Sequence, residues 1–135
     1  MKYFLDANIC VYLMNAKFPE MNKKYMTRNP SDIFISSVVL SELMYGVRNS
    51  TRQEQNLAKL KVLLQDIQTV PFDDQAAHIA GQIRADLGRA GTPIGGNDVL
   101  IAATALAGNG TLVTNNTREF SRVKGLALED WTLTS

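Results

Sequence analysis

The chain has 135 residues, 45% of them hydrophobic and 20% charged, which suits one folded domain and excludes a disordered tail or linker. No stretch approaches the roughly 20 consecutive apolar residues that cross a bilayer, so no membrane association is expected. The net charge of +1 provides no overall positive field, so any surface for nucleic acid has to be local.

Tyr3-Phe4-Leu5 is a short apolar run that reads as a strand, and Asp-Ala-Asn then turns it into a helix over Ile9 to Met14. Asp6 comes too early for the apolar core of a signal peptide, so the expected location is the cytoplasm. Residues 17–28 are polar and basic and suit a short helix ending before Asn29-Pro30. Ile33-Phe34-Ile35 reads as a second strand, and Ser36 or Ser37 can cap a helix running through Glu42 to Arg48. Thr51-x-x-Glu54 has the form of a capping box, with Leu57, Leu60, Leu64 and Ile67 following at helical spacing. Val70-Pro71-Phe72 is extended. From Asp73 or Asp74 a helix places Ala76, Ala80, Ile83 and Leu87 on one face, and Gly88, Gly91 and Pro93 stop it. Gly95-Gly96-Asn97-Asp98 opens a helix over Val99 to Ala107 that is apolar nearly all round and therefore buried. Thr111 to Thr114 is a strand, Asn115 to Phe120 a turn or short helix, and Leu126-Ala127-Leu128 a last strand. Strands alternating with helices predict an α/β fold with a parallel sheet covered on both faces. In such folds sites form beyond the carboxyl ends of the strands.

Composition narrows the chemistry. Cys10 is the one cysteine and His78 the one histidine, which excludes an intrachain disulfide, a multi-cysteine zinc site, a His-Glu-x-x-His metalloprotease and a two-histidine ribonuclease. No Gly-x-Ser-x-Gly elbow is present. Asp6-Ala7-Asn8 has an amide where an aspartyl-phosphate enzyme has a second Asp, which argues against a phosphatase. Carboxylates acting with a hard metal ion remain. Asp6 closes a strand, Glu42 sits mid-helix among Val38, Val39, Tyr45 and Gly46, and Asp98 begins an apolar helix near Ile101 and Ala102. A carboxylate among apolar groups has to be compensated, and a divalent cation would do so. Plainer roles are open to the same residues: Asp6 as a helix cap, Asp98 at a helix's positive end, Asn116 and Glu119 as a capping box. His78, Lys59, Lys61, Arg84 and Arg89 read first as solvated helix residues.

Four segments together resemble the PIN-domain family. Leu5-Asp6-Ala7-Asn8 resembles its N-terminal Asp-Thr-Asn motif, with Ala7 in place of Thr. Ser41-Glu42-Leu43-x-x-Gly46 resembles the second motif, and Gly95-Gly96-Asn97-Asp98-x-x-Ile101-Ala102-Ala103-x-Ala105 the third. Leu112-Val113-Thr114-Asn115-Asn116-Thr117-Arg118-Glu119-Phe120 resembles the fourth. Asn116 to Phe120 and the ending Leu128-Glu129-Asp130-Trp131 look most like the VapC toxins of that family. The order and spacing span the chain, so residues 1–135 are expected to form a single PIN-like domain.

The resemblance implies a three-layer α/β/α fold with a central parallel sheet and a metal-dependent endoribonuclease acting on structured RNA such as tRNA. It implies Mg²⁺ or Mn²⁺ held at Asp6 and Asp98, with Glu42 completing the acidic cluster and Asn116 or Glu119 as a fourth catalytic residue. Asn116 stands where many PIN domains have Asp, and Ala7 lacks a hydroxyl that often orients the first acid. Arg84 and Arg89, on the helix leading into the Gly95-Gly96 loop, are the candidate substrate-binding residues. The alternative is a catalytically inactive PIN-like module that binds RNA or serves as a scaffold. A cognate VapB-like antitoxin is the implied partner, with apolar anchors suited to residues 51–67 and 73–87 beside Lys59, Lys61, Arg84 and Arg89. A homodimer is also implied. Val11, Tyr12, Met14, Phe18, Met21, Tyr25 and Met26 offer it more apolar surface than one sheet face needs.

Overall fold

The structure is a computed structural model that describes residues 1–133. Its strands are β1 (Tyr3–Leu5), β2 (Ile33–Ser36), β3 (Gln68–Val70), β4 (Thr111–Val113) and β5 (Ala127–Glu129). All pair in parallel, in the order β3-β2-β1-β4-β5. Phe4, Leu5, Ile33, Ile35, Leu112 and Val113 are almost inaccessible, as a strand covered on both faces requires. On the edge strand β3, Gln68 and Thr69 are exposed.

The chain winds from β1 through β2 to β3, then returns to place β4 on the other side of β1. Right-handed crossovers therefore send the helices to opposite faces. One face takes α1 (Ala7–Met14), α2 (Pro19–Met26), α3 (Ser37–Arg48) and α4 (Gln53–Leu64). The other takes α5 (Asp74–Ala90), α6 (Gly96–Ala107) and α7 (Thr117–Phe120). The packing agrees: α4 contacts α1 and α3, while α5 lies on α6. This is the three-layer α/β/α arrangement expected. The winding direction reverses between β1 and β4, and it is beyond the strand ends at such a reversal that folds of this kind place their sites.

Several local expectations change for identifiable reasons. α1 starts at Ala7 because Asp6 caps it, with Oδ1 accepting from the Ala7 N–H. The Thr51–Glu54 capping box does not form: Arg52 is the cap residue of α4 and contributes no side-chain bond, leaving Thr51 one position outside. α4 stops at Leu64, so Ile67 reaches the core from the connection rather than from the helix. β3 precedes Pro71 because proline has no N–H for the ladder. α5 continues through Gly88 and ends at Gly91, whose φ of 72° needs glycine.

The apolar residues assigned to a dimer face mostly turn inward. Met21 is inaccessible, Tyr12 meets Phe18 edge to face at 5.2 Å, and Met14 and Tyr25 pack against the core. Val11 and Met26 stay exposed. α4 packs on α1 and α3 while α5 packs on α6, so these two helices lie in different layers.

Phe4 stacks on Phe34 at 5.4 Å and fills the space above the α6–β4 turn. A Cβ at Gly110 would lie 2.5 Å from the Phe4 ring at Cε1, and one at Gly108 would lie 2.7 Å from Cζ. Gly110→Ala is expected to lower stability by about 1–3 kcal/mol through overpacking. The shift of the urea midpoint at constant slope measures it; an unchanged midpoint would mean that the ring moves aside without cost.

Candidate active site

Asp6 leaves β1 at the reversal point and is only 8% exposed. Its backbone N–H donates to the Val113 carbonyl (2.9 Å), joining it to the end of β4. Each carboxylate oxygen has one donor: Oδ1 the Ala7 N–H at 2.8 Å, Oδ2 the Thr114 hydroxyl at 2.8 Å. Thr114 is fully buried, and its oxygen also accepts from the Asn116 N–H at 3.0 Å. Burial raises the Asp6 pKa, and the two hydrogen bonds oppose it without winning.

α3 begins where Ser36 caps it through the Val39 N–H, and its second turn presents Glu42. Glu42 Oε1 is buried with no hydrogen-bond partner. Burial raises the pKa of Glu42, followed by the charges of Asp6 and Asp98. Asp98 lies in the first turn of α6. Its pKa is raised by burial, then by Asp6 and Glu119. Its Oδ2 folds back over Gly95, to 3.2 Å from where a Cβ would stand, so a side chain at position 95 would press on the carboxylate. The ion pairs among the described residues are Lys23–Glu20, Arg28–Glu129 and Arg89–Asp86, and none reaches these three acids.

Asp6, Glu42 and Asp98 thus share one electrostatic environment, drawn from β1, α3 and α6. Among the described residues no three acidic, histidine or cysteine side chains converge tightly enough to hold an ion alone. The pattern instead suits a hard cation bound by one or two carboxylates plus water. An orphaned carboxylate oxygen beside two other carboxylates whose pKa values burial raises fits such a cation. Glu42 also lines a groove of about 380 Å³ between α1, α3 and α4, with Val11, Met14, Gly46 and Lys59 on its walls. Asp6 and Asp98 are not among its lining residues.

Asn116 does not cap α7 through its side chain; its Nδ2 donates to Glu119 Oε2 at 3.3 Å. Glu119 is near enough to act on Asp98, so this pair borders the cluster. The Arg84 Nη2 lies 4.0 Å from the place a Cβ would take at Gly96, beside the opening turn of α6. Arg89 pairs instead with Asp86 at 3.8 Å. His78 is exposed on α5. Cys10 is buried, and burial with the nearby Asp6 charge pushes its thiol up, which leaves it unreactive.

Sequence reasoning placed Thr114 in a motif without giving it a task. It supplies the hydroxyl that Ala7 lacks. The available signal was a hydroxyl at one strand end and an acid at another, and only the pairing of β1 with β4 connects them.

The PIN domain family pattern matches residues 3–126. The Rickettsia felis Ribonuclease VapC2 is 45% identical over 97% of this chain and 98% of its own length. The Salmonella typhimurium tRNA(fMet)-specific endonuclease VapC is 41% identical over 97% of this chain and 98% of its own. VapBC2 from Rickettsia felis, solved bound to a DNA fragment from its promoter, matches with a TM-score of 0.91 at 41% identity, covering 97% of this chain and 99% of that one.

Two outcomes follow from the raised carboxyl pKa values. The folded metal-free chain holds more protons than the unfolded chain between the ordinary carboxyl pKa and the raised values. Its stability therefore falls as pH rises through that window. Asp98→Asn removes one of the repelling charges and is expected to raise the metal-free Tm by a few degrees at neutral pH, with a smaller gain in mild acid. Melting curves at both pH values decide it; a lower Tm for the variant would mean that the carboxylate stabilises the fold. Thr114→Val removes a donor to Asp6 and should move the Asp6 carboxyl pKa further up, as read by carbon NMR titration. A pKa that does not rise would show that Thr114 does not hold this acid.

Proposed function

The chain belongs to the PIN domain family, among its VapC ribonucleases, and on that footing we propose that it is a metal-dependent endoribonuclease cutting structured RNA such as tRNA. Its place is that of the toxin in a VapBC-type toxin–antitoxin pair, working in the cytoplasm where its RNA is. The observation that carries the reading is the orphaned Glu42 Oε1 set beside Asp6 and Asp98 at the strand-order reversal. Residues 1–135 act as a single PIN-like domain.

Asp6 and Asp98 would hold the divalent ion, Mg²⁺ or Mn²⁺. When bound, such an ion supplies positive charge that makes water more acidic and offsets charge developing at phosphate. The chain's own residues do the rest. Thr114 and the Ala7 N–H fix both oxygens of Asp6, so it meets a ligand without reorienting. Glu42 Oε1, with no competing partner, accepts a hydrogen bond from the attacking water and can take its proton. Arg84 stands beside the first turn of α6, whose N–H groups favour an anion, and binds a phosphate oxygen of the RNA. Asn116 gives its N–H₂ to Glu119 and keeps an amide oxygen for the site. Arg89 is held by Asp86 in an exposed pair worth little, so it can be drawn to the RNA backbone as a second phosphate contact.

The antitoxin occupies the groove between α1, α3 and α4. Val11 and Met14 give it apolar footing, Lys59 receives a carboxylate, and Glu42 on the groove wall receives a basic side chain. A homodimer belongs to the same proposal. The inward packing of the α1 and α2 residues, with Val11 on the groove given to the antitoxin, leaves Met26 as what remains of that apolar surface.

Incubation with total RNA tests the reading. Cleavage is expected with Mg²⁺ or Mn²⁺, none with a chelator, and at least a hundredfold less for Asp98→Asn. Chelator-resistant cleavage, or full activity in Asp98→Asn at saturating metal, would overturn the assignment of the acids. Binding of RNA without turnover under every metal condition would favour the inactive RNA-binding module instead.

A further inference from the structure

Tyr45 stands apart from the other aromatic residues. The chain has ten Phe, Tyr and Trp residues, and the other nine are buried or half-buried. Tyr45 is 70% exposed. Among the described residues its ring takes part in no aromatic pair and no cation contact, unlike Tyr3, Tyr12, Phe4, Phe18, Phe34 and Trp131. It does no packing for the fold.

Its position on α3 gives it another use. Glu42, Tyr45, Gly46 and Asn49 fall at i, i+3, i+4 and i+7, so they adjoin along one side of the helix. Glu42 and Gly46 line the groove, which puts Tyr45 at its rim, one helical turn from the catalytic carboxylate. A Cβ at Gly46 would meet no other part of the chain within 4 Å, so nothing from outside this stretch of α3 covers the helix there. Arg48 follows on the outer side of the same helix; it is exposed and belongs to none of the ion pairs among the described residues. An unpacked aromatic face with a free cation a turn away is the pairing that proteins use for unpaired nucleotides. The base stacks, and the cation takes the phosphate.

We propose that Tyr45 is the stacking platform for an unpaired base flanking the scissile phosphate, with Arg48 binding the adjoining backbone, so that α3 carries both a catalytic acid and a determinant of single-stranded specificity. This rests on the ribonuclease reading and adds to it a residue that selects the conformation of the RNA. Paired nucleotides present no open base face and are disfavoured at this position.

The test compares wild type, Tyr45→Ala, Tyr45→Phe and Arg48→Ala on one RNA that the wild-type chain cuts. Stacking that is the same in the ground and transition states changes KM alone. Tyr45→Ala is expected to raise KM roughly ten- to a hundredfold, with kcat within about twofold, while Tyr45→Phe keeps the wild-type KM. Arg48→Ala should raise KM and flatten its salt dependence by about one phosphate contact. A second readout needs no turnover. The Asp98→Asn chain should quench 2-aminopurine in a single-stranded oligoribonucleotide, less so in a duplex, and the Asp98→Asn, Tyr45→Ala chain should not. A wild-type chain that cuts, with Tyr45→Ala cutting at an unchanged KM, overturns the proposal and leaves the ribonuclease reading intact. A Tyr45→Ala chain whose mass by light scattering drops to that of a dissociated subunit assigns the ring to a contact between copies, and also overturns it. Cleavage by no chain with either metal overturns both.

Discussion

The site depends on a carboxylate that the fold has buried at the end of its central strand. Asp6 follows β1, beside the edge where β4 was added after the winding reversed, so neighbours from both halves of the sheet surround it. A helix cap contributes about 0.5–2 kcal/mol and a hydrogen bond to a charged group about 1.5–3 kcal/mol. The effective desolvation penalty for a buried ion is several kcal/mol, so the two donors offset only part of it. The raised Asp6 pKa expresses that balance. What the described residues do not supply is a countercharge, since no ion pair among them reaches the cluster.

From that deficit the neighbouring elements take their roles. Glu42 and Asp98 add negative charge where the fold already holds too much: beyond burial, Asp6 raises the pKa of both, Asp98 adds to that of Glu42, and Glu119 adds to that of Asp98. Neither acid is needed to hold its helix: α3 is capped by Ser36, and α6 gains little from one carboxylate in its first turn. Gly95 leaves room for Asp98 to fold back. The glycines at 108 and 110 serve the core instead, by making space for Phe4. Two glycine clusters around one helix thus have unrelated physical reasons, one for the site and one for packing.

A net charge of +1 is no obstacle to handling a polyanion when cations are placed individually, as proposed for Arg84 and Arg48. Arg84 lies at the opening of α6 and Arg48 on the outer side of α3. Stacking and a few phosphate contacts give affinity that is local and shape-dependent, and a weak overall field limits non-specific adhesion to other RNA.

The strand–helix alternation, the buried α6 and the three acids were legible in the chain, because each rests on local pattern: apolar runs between turn residues, and carboxylates with no cation at helical spacing. The boundaries that shifted were set by particular groups, as when the Asp6 cap started α1 at Ala7 rather than at Ile9, or when Pro71 ended β3. The apolar surplus in α1 and α2 could be read as an interface or as core, since sequence counts apolar residues but does not say how much surface the sheet has to cover. The task of Thr114 was beyond its reach altogether. Asp6 and Thr114 are 108 positions apart, and nothing local links them. Strand order made β1 and β4 neighbours, and a hydrogen bond that exists only at 2.8 Å is decided by that adjacency and not by the identity of either residue.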